Sequence, residues 1–166
     1  MTSDLMDLPQ GDVRLLGTEA AQRLLGSTEL ARLAYVAADG TPRVMPMMFH
    51  WTGEDVVMWS FAGAGKLPAL RARPDVALTI DVNAYPPEVL MLRGEAALTE
   101  VDGIVPEYVL ALHRYHGEGR EEQVAAMVAE IERPGLRMAR IAVRPTWAGL
   151  LDFRTRLPAV LAEQGR

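Results

Sequence analysis

Cysteine is absent from this chain of 166 residues, lysine occurs once, and aromatic residues make up only 6%. Without cysteine there is no disulfide, no thiolate nucleophile and no cysteine-ligated zinc or iron–sulfur site, so any redox chemistry must come from a bound cofactor. No apolar run approaches the roughly 20 residues that span a bilayer. The first turn of chain carries Asp4 and Asp7 without a basic start, which argues against a secretory leader, and a cytoplasmic location is the expectation. Positive charge is also scarce: 17 Lys plus Arg against 22 Asp plus Glu leave a net charge of -5. That balance disfavours a broad nucleic-acid or anionic-membrane surface and confines any use of cations to a local pocket. There is no Gly-x-Ser-x-Gly elbow for a nucleophilic hydrolase, and Glu95, Glu100 and Asp102 are strung along a strand and its exit rather than paired. With no repeat or low-complexity tract, and 49% hydrophobic against 23% charged residues, a single globular domain over residues 1–166 is expected.

The one lysine, Lys66, sits in the run Trp59-Ser60-Phe61-Ala62-Gly63-Ala64-Gly65-Lys66-Leu67-Pro68. Two glycines let a bound group approach the backbone closely. A helix starting at Lys66 to Pro68 would leave free N–H donors beside a mobile ammonium. The run reads as a loop for a cofactor phosphate, although the same residues also serve an ordinary strand-to-helix turn. It is not a nucleoside-triphosphate loop, because Ser60 stands where the first glycine belongs and Leu67 replaces the magnesium-binding hydroxyl. The dinucleotide fingerprint fails as well, since its third glycine is missing.

Periodicity predicts a short amphipathic helix capped by Thr18 and ending near Gly26, which would cover one end of a sheet. Strands are predicted over residues 31–37, 43–51 and 56–61 as a meander, then over 76–82, 89–99, 137–143 and 146–153. Lys66 begins a helix stopped by Pro74, two helices occupy 105–115 and 121–132, and a tail helix starts at Pro158. Six or so strands with few helices predict a mainly β fold, a small six-stranded antiparallel barrel with peripheral helices and a helical insertion at about 104–133. Within residues 43–51, alternation sends Met45, Met47 and Phe49 to one face and Val44, Pro46, Met48 and His50 to the other. Both faces are largely apolar, so burial on both sides is expected, and Pro46 must interrupt the ladder because it has no N–H.

Taken in order, Asp39-Gly40-Thr41-Pro42-Arg43-Val44-Met45-Pro46, Val57-Met58-Trp59-Ser60, Lys66 and Leu70-Arg71-Ala72-Arg73-Pro74-Asp75-Val76-Ala77-Leu78 resemble the pyridoxamine 5′-phosphate oxidase-like FMN-binding split-barrel family, which also contains deazaflavin F420-dependent reductases. The resemblance implies an antiparallel split barrel that forms a homodimer with cofactor at the interface. It implies that Ser60, Gly65 and Lys66 hold the flavin phosphate, with Phe61 and Arg71 beside them, and that Arg43, Val44, Met45, Pro46 and Met47 lie along the ring. Trp59 and Trp147 become candidates to line the ring pocket, an aromatic body with one donor suiting a half-apolar site. Where many members carry Ser-Arg-Lys, this chain has Ala64-Gly65-Lys66. Two charge-assisted or polar contacts are thereby lost, each worth about 1.5–3 kcal/mol, unless Arg71, Arg73 or Arg43 compensates. The Arg-x-His substrate motif has no counterpart near Asp152-Phe153-Arg154-Thr155-Arg156, so pyridoxamine phosphate is not the expected substrate.

The expectation is therefore an FMN-dependent oxidoreductase acting on a small unidentified molecule, with F420 as the alternative cofactor. A non-catalytic cofactor- or haem-binding or sensing protein is the reading of another class. No side chain is assigned a catalytic role, because hydride transfer asks of the protein only distance, stacking and electrostatics. His113 and His116, three apart on a helix, are read as a solvated or capping face rather than as metal ligands.

Overall fold

The computed structural model describes residue 5 and residues 7–156 of the chain. Seven strands form one antiparallel sheet: β1 (Ala31–Val36), β2 (Pro42–Met47), β3 (His50–Trp51), β4 (Val56–Phe61), β5 (Asp75–Asp81), β6 (Glu88–Asp102) and β7 (Arg137–Asp152), in the spatial order β2-β1-β5-β6-β7-β4-β3. Among the described residues four helices accompany them: α1 (Glu19–Leu25), α2 (Lys66–Ala72), α3 (Pro106–His116) and α4 (Glu121–Ile131). A 3-10 turn, Val13–Gly17, precedes α1. The helix expected from Pro158 onward lies outside the described residues.

The expected strand pattern changes because residues 43–51 do not run as one strand. They divide into β2 and β3, which stand at opposite ends of the ladder although only Met48 and Phe49 separate them. No ladder joins β2 to β3 or β4, so the hydrogen bonding does not close on itself. The break coincides with a tertiary contact. Phe49 is fully buried, and its carbonyl accepts a hydrogen bond from the Arg114 guanidinium on α3, not from a neighbouring strand. Arg114 also lies 4.6 Å from the Phe49 ring centre.

A second difference runs the other way. Residues 137–143 and 146–153, expected as two strands, form the single strand β7, which pairs with β6 from end to end. Pro145 faces Gly94 and Trp147 faces Arg93, so Thr146 is an extra residue, and this bulge absorbs the missing proline N–H without ending the strand.

Inward residues build one core. On β5, Val76, Leu78 and Ile80 are buried while Asp75 and Ala77 are exposed, the period-2 pattern of a sheet with one face inside. Leu33, Phe49, Met58, Leu92, Ile141 and Leu150 belong to the same cluster. Ala20, Ala21, Leu24 and Leu25 of α1 and Leu67 and Leu70 of α2 join it. These helices sit at opposite ends of β6: Arg23 of α1 bonds Glu88 at its start (2.8 Å), and Arg71 of α2 bonds Glu100 near its finish (3.0 Å). α1 begins where the sequence predicts, with the Thr18 hydroxyl accepting from the Ala21 N–H at 3.3 Å.

The insertion helices α3 and α4 pack on the outer face of β4 and β7 over a second cluster formed by Val105, Leu136 and Met138 with Trp59 and Tyr108. Among the described residues no helix is long and apolar enough to cross a membrane.

Candidate functional site

The loop between β4 and α2 is fixed at three points. Ala62 N–H donates to Arg137 O (2.9 Å), Ala64 N–H to Phe61 O (3.2 Å), and Leu67 N–H to Ala64 O (3.0 Å). Those bonds leave the N–H groups of Gly63, Gly65 and Lys66 with no acceptor among the described residues. Gly63 has a φ of +87, which favours glycine for backbone reasons. Gly65 does not: it is right-handed helical (φ -60, ψ -21), and a Cβ built on it would meet nothing within 4 Å. The fold therefore does not require glycine at 65, and open space lies where its side chain would be.

Lys66, the first residue of α2, makes no ion pair or side-chain hydrogen bond among the described residues. Burial lowers the pKa of its ammonium from the usual 10.5, and no carboxylate offsets the shift. An unpaired, partly desolvated cation beside three unused N–H donors favours an anion on electrostatic grounds. The guanidinium groups expected to help are engaged elsewhere. Arg71 pairs with Glu100, which also binds Arg137. Arg73 donates to Ala37 O at 2.7 Å. Arg43 holds Asp39 at 2.9 Å in the β1–β2 turn. The Thr41 hydroxyl and N–H, with Arg43, lower the Asp39 pKa to about 2. These pairs are on the surface, where an ion pair is worth about 0–1 kcal/mol, so a ligand phosphate could recruit one of them at small cost.

β2 is not buried on both sides as expected. Met47 is buried and Met45 packs on the core, but Arg43, Val44 and Pro46 face outward, with Val44 65% exposed. Being terminal in the ladder, β2 also has a free edge of backbone groups. His50 pairs with Val57 and Trp51 with Val56. Continuing that register would set Met48 opposite Trp59 and Pro46 opposite Phe61, but the pairing has already stopped. β2, carrying Arg43 to Met47, is therefore not paired with β4, whose Trp59, Ser60 and Phe61 lead into the Lys66 loop.

Among solved structures, the chain is similar to a protein named F420 reductase, with 29% identity, a TM-score of 0.58 and coverage of 77% of this chain and 94% of the other. A Listeria innocua protein bearing the name of a pyridoxamine 5′-phosphate oxidase shares 18% identity at a TM-score of 0.54, over 78% of this chain and 94% of its own. A haem-binding protein from Mycobacterium smegmatis shares 18% at a TM-score of 0.55, over 80% of this chain and 52% of its own. The chain shares the fold of these proteins, the pyridoxamine 5′-phosphate oxidase-like split-barrel proteins. No protein-family model matches it, and no curated protein sequence does either.

The two tryptophans expected at the ring pack against other groups. Trp59 lies beneath the helical insertion, its ring 5.4 Å from that of Tyr108 and tilted by 68°. Trp147 lies flat along β7 over Gly149, under Gly11, with the Arg93 guanidinium 4.1 Å from its ring centre. Arg93 in turn borders an outer-face groove of about 770 Å³ formed by β1, β5, β6 and β7. Sequence reasoning missed Arg93 and Tyr108. Arg93 was legible only as an outward position on a strand, and Tyr108 only as one residue of a helical stripe.

Among the described residues no group of three His, Asp or Glu is placed to hold a metal. His50 has a buried Nδ1 without a hydrogen-bond partner. Burial, and the nearby Arg114 charge, hold its imidazole below the usual pKa, against an opposing pull from Glu107.

Proposed function

We propose that this chain is an oxidoreductase that binds a phosphate-bearing flavin-type cofactor, with Lys66 and the Gly63, Gly65 and Lys66 N–H groups holding the anion. The carrying observation is an ammonium with no partner among the described residues, at the start of the helix that follows a loop with unused N–H groups and open space at Gly65. The residues fit such a group: the cation lacks an internal partner, and the cradle is one that a Cβ would fill. Ser60 flanks the loop, and Arg71 would swing from Glu100 to add a second charge. The ring would lie along β2, where Val44 and Pro46 offer an exposed apolar face and the free edge offers backbone polar groups. When bound, the cofactor supplies hydride chemistry; the protein binds, orients and excludes water.

The finer fold reading belongs with this proposal. Counted as one bent strand, β2 and β3 make a six-stranded split barrel whose slot admits the ring, and the two-residue separation between them supports that count. A homodimer would cover the exposed side of β2 and bring one copy's Trp147 toward the other's cofactor.

FMN is one candidate, and F420 is favoured by a specific observation, the 29% identity to an F420 reductase. Titration of the purified chain with FMN and with F420, followed by absorbance and calorimetry, tests the reading. Lys66→Ala should weaken whichever cofactor binds by about 10- to 100-fold, the loss of one charge-assisted hydrogen bond, with the thermal midpoint unchanged. Undiminished affinity in that variant would remove the loop from the site.

A further inference from the structure

α3 is fastened to the sheet by ionisable groups that the cofactor reading leaves unused. Near its start, Glu107 pairs with Arg140 of β7 at 2.7 Å, their side chains only 14% and 27% exposed. Near its end, Arg114 donates to Phe49 O and lies 4.6 Å and 4.9 Å from the ring centres of Phe49 and Tyr115. The Tyr115 hydroxyl donates to Glu29 O at 2.7 Å. Both fastenings act on the half-buried His50 of β3, whose ring feels the charges of Arg114 and Glu107. We propose that His50 is a proton-operated latch for the helical insertion: the neutral ring lets α3 dock on the sheet, and the imidazolium releases it.

The geometry accommodates only the neutral ring. His50 Nδ1 is buried without a hydrogen-bond partner among the described residues, and so is Arg114 Nε. A neutral imidazole can leave Nδ1 as a bare acceptor, whereas an imidazolium carries N–H on both nitrogens. A buried cationic donor without an acceptor costs more than a bare lone pair. β4 sets only the neutral Val57 opposite His50. Glu107, the carboxylate that acts on the ring, is already held by Arg140. Drawing it to His50 would leave Arg140 a partly buried cation without its partner, and Arg114 repels a second positive charge beside it. Each way of charging the ring thus breaks a contact that fastens α3. Burial and the Arg114 charge accordingly lower the His50 pKa from 6.5, with Glu107 opposing. Well above about pH 6.5 the ring is neutral whether α3 is docked or released, and this group gives no pH dependence. Below that, the released state takes a proton that the docked state refuses. The opening constant then rises with acid, by up to about tenfold per pH unit, until the docked ring also titrates. Release would uncover Trp59 and Met138, which lie under the insertion, and free the Phe49 carbonyl in the link between β2 and β3.

Hydrogen exchange of the full chain without cofactor, followed by nitrogen-15 NMR from about pH 7.5 to about pH 5 and corrected for intrinsic rates, tests the latch. Opening constants of α3 amides such as that of Leu112 should rise by about tenfold or more across this range, while those of Leu90 and Leu92 in β6 stay level. His50→Gln, which cannot take up a proton, should flatten the α3 response. The chain has three imidazoles, so the double variant His113→Gln with His116→Gln leaves one ring signal. That signal should titrate below the usual 6.5, and the α3 response should persist in this variant. Acid-independent opening of α3, a His50 ring titrating at or above 6.5, or an undiminished response in His50→Gln overturns the proposal. The ring titration is read with His50 in place, so the outcome does not hang on the folding of His50→Gln. No cofactor is present in any arm, so failure here and failure of the anion loop are read separately.

Discussion

Lys66 is a cation held without compensation, and its chemistry follows from that. Because burial lowers its pKa below 10.5, there is a pH window in which the unfolded chain keeps the proton and the folded chain has released it. Stability from this group therefore rises with pH across that window and is lowest below it, where both forms are charged. Anion binding has the opposite dependence, since it needs the charged form. Affinity for the phosphate-bearing cofactor should fall as pH rises toward 10.5, earlier than for a free lysine, and Lys66→Arg should flatten the decline; parallel titration curves for the two proteins would contradict the assignment. Gly65 isolates the steric part of the site. Its helical backbone and empty surroundings mean that Gly65→Ala should leave stability unchanged or raise it by about 0.4–1 kcal/mol. The same methyl group stands in the cradle, so cofactor affinity should drop several-fold. A variant equally stable and equally tight would show that nothing docks against this backbone.

At the scale of elements, β7 survives a proline because β6 supplies a glycine opposite it. A Cβ on Gly94 would lie 2.4 Å from Arg144 O and 3.1 Å from Val143 Cγ1, both parts of a packed central strand that cannot retreat. Gly94→Ala should cost about 1–3 kcal/mol, lowering the thermal midpoint by roughly 2–4 °C for each kcal/mol in a domain of this size. A scanning-calorimetry midpoint within a degree of the unaltered chain would mean that the bulge is plastic. The division of β2 from β3 shows the reverse situation, in which pairing is given up. Pro46 has no N–H to offer, the Phe49 side chain turns into the core, and its carbonyl is satisfied by Arg114 from a helix 65 residues away in sequence.

At the scale of the whole molecule, the outward side of β2 is an uncovered apolar face, where Val44 is 65% exposed and Pro46 is exposed two residues on. A second copy covering this face would complete the proposed cofactor site, and sedimentation should give twice the mass of one chain. Val44→Glu, which alters an exposed residue and spares the core, should yield a folded monomer with much weaker cofactor binding; a dimer of unchanged strength would place the contact elsewhere. By itself the sequence determined the core alternation, the Thr18 cap, the two insertion helices and the candidacy of Lys66, because periods, caps and a lone cation are local properties of neighbouring residues. Which arginines are already engaged was decided only in three dimensions, as was the meeting of Trp59 with Tyr108 and the break at residues 48–49. Those outcomes depend on partners tens of residues apart, such as Arg71 with Glu100 and Arg114 with Phe49. Charge pairing and carbonyl satisfaction act through space, and a one-dimensional pattern carries no record of which distant group arrives.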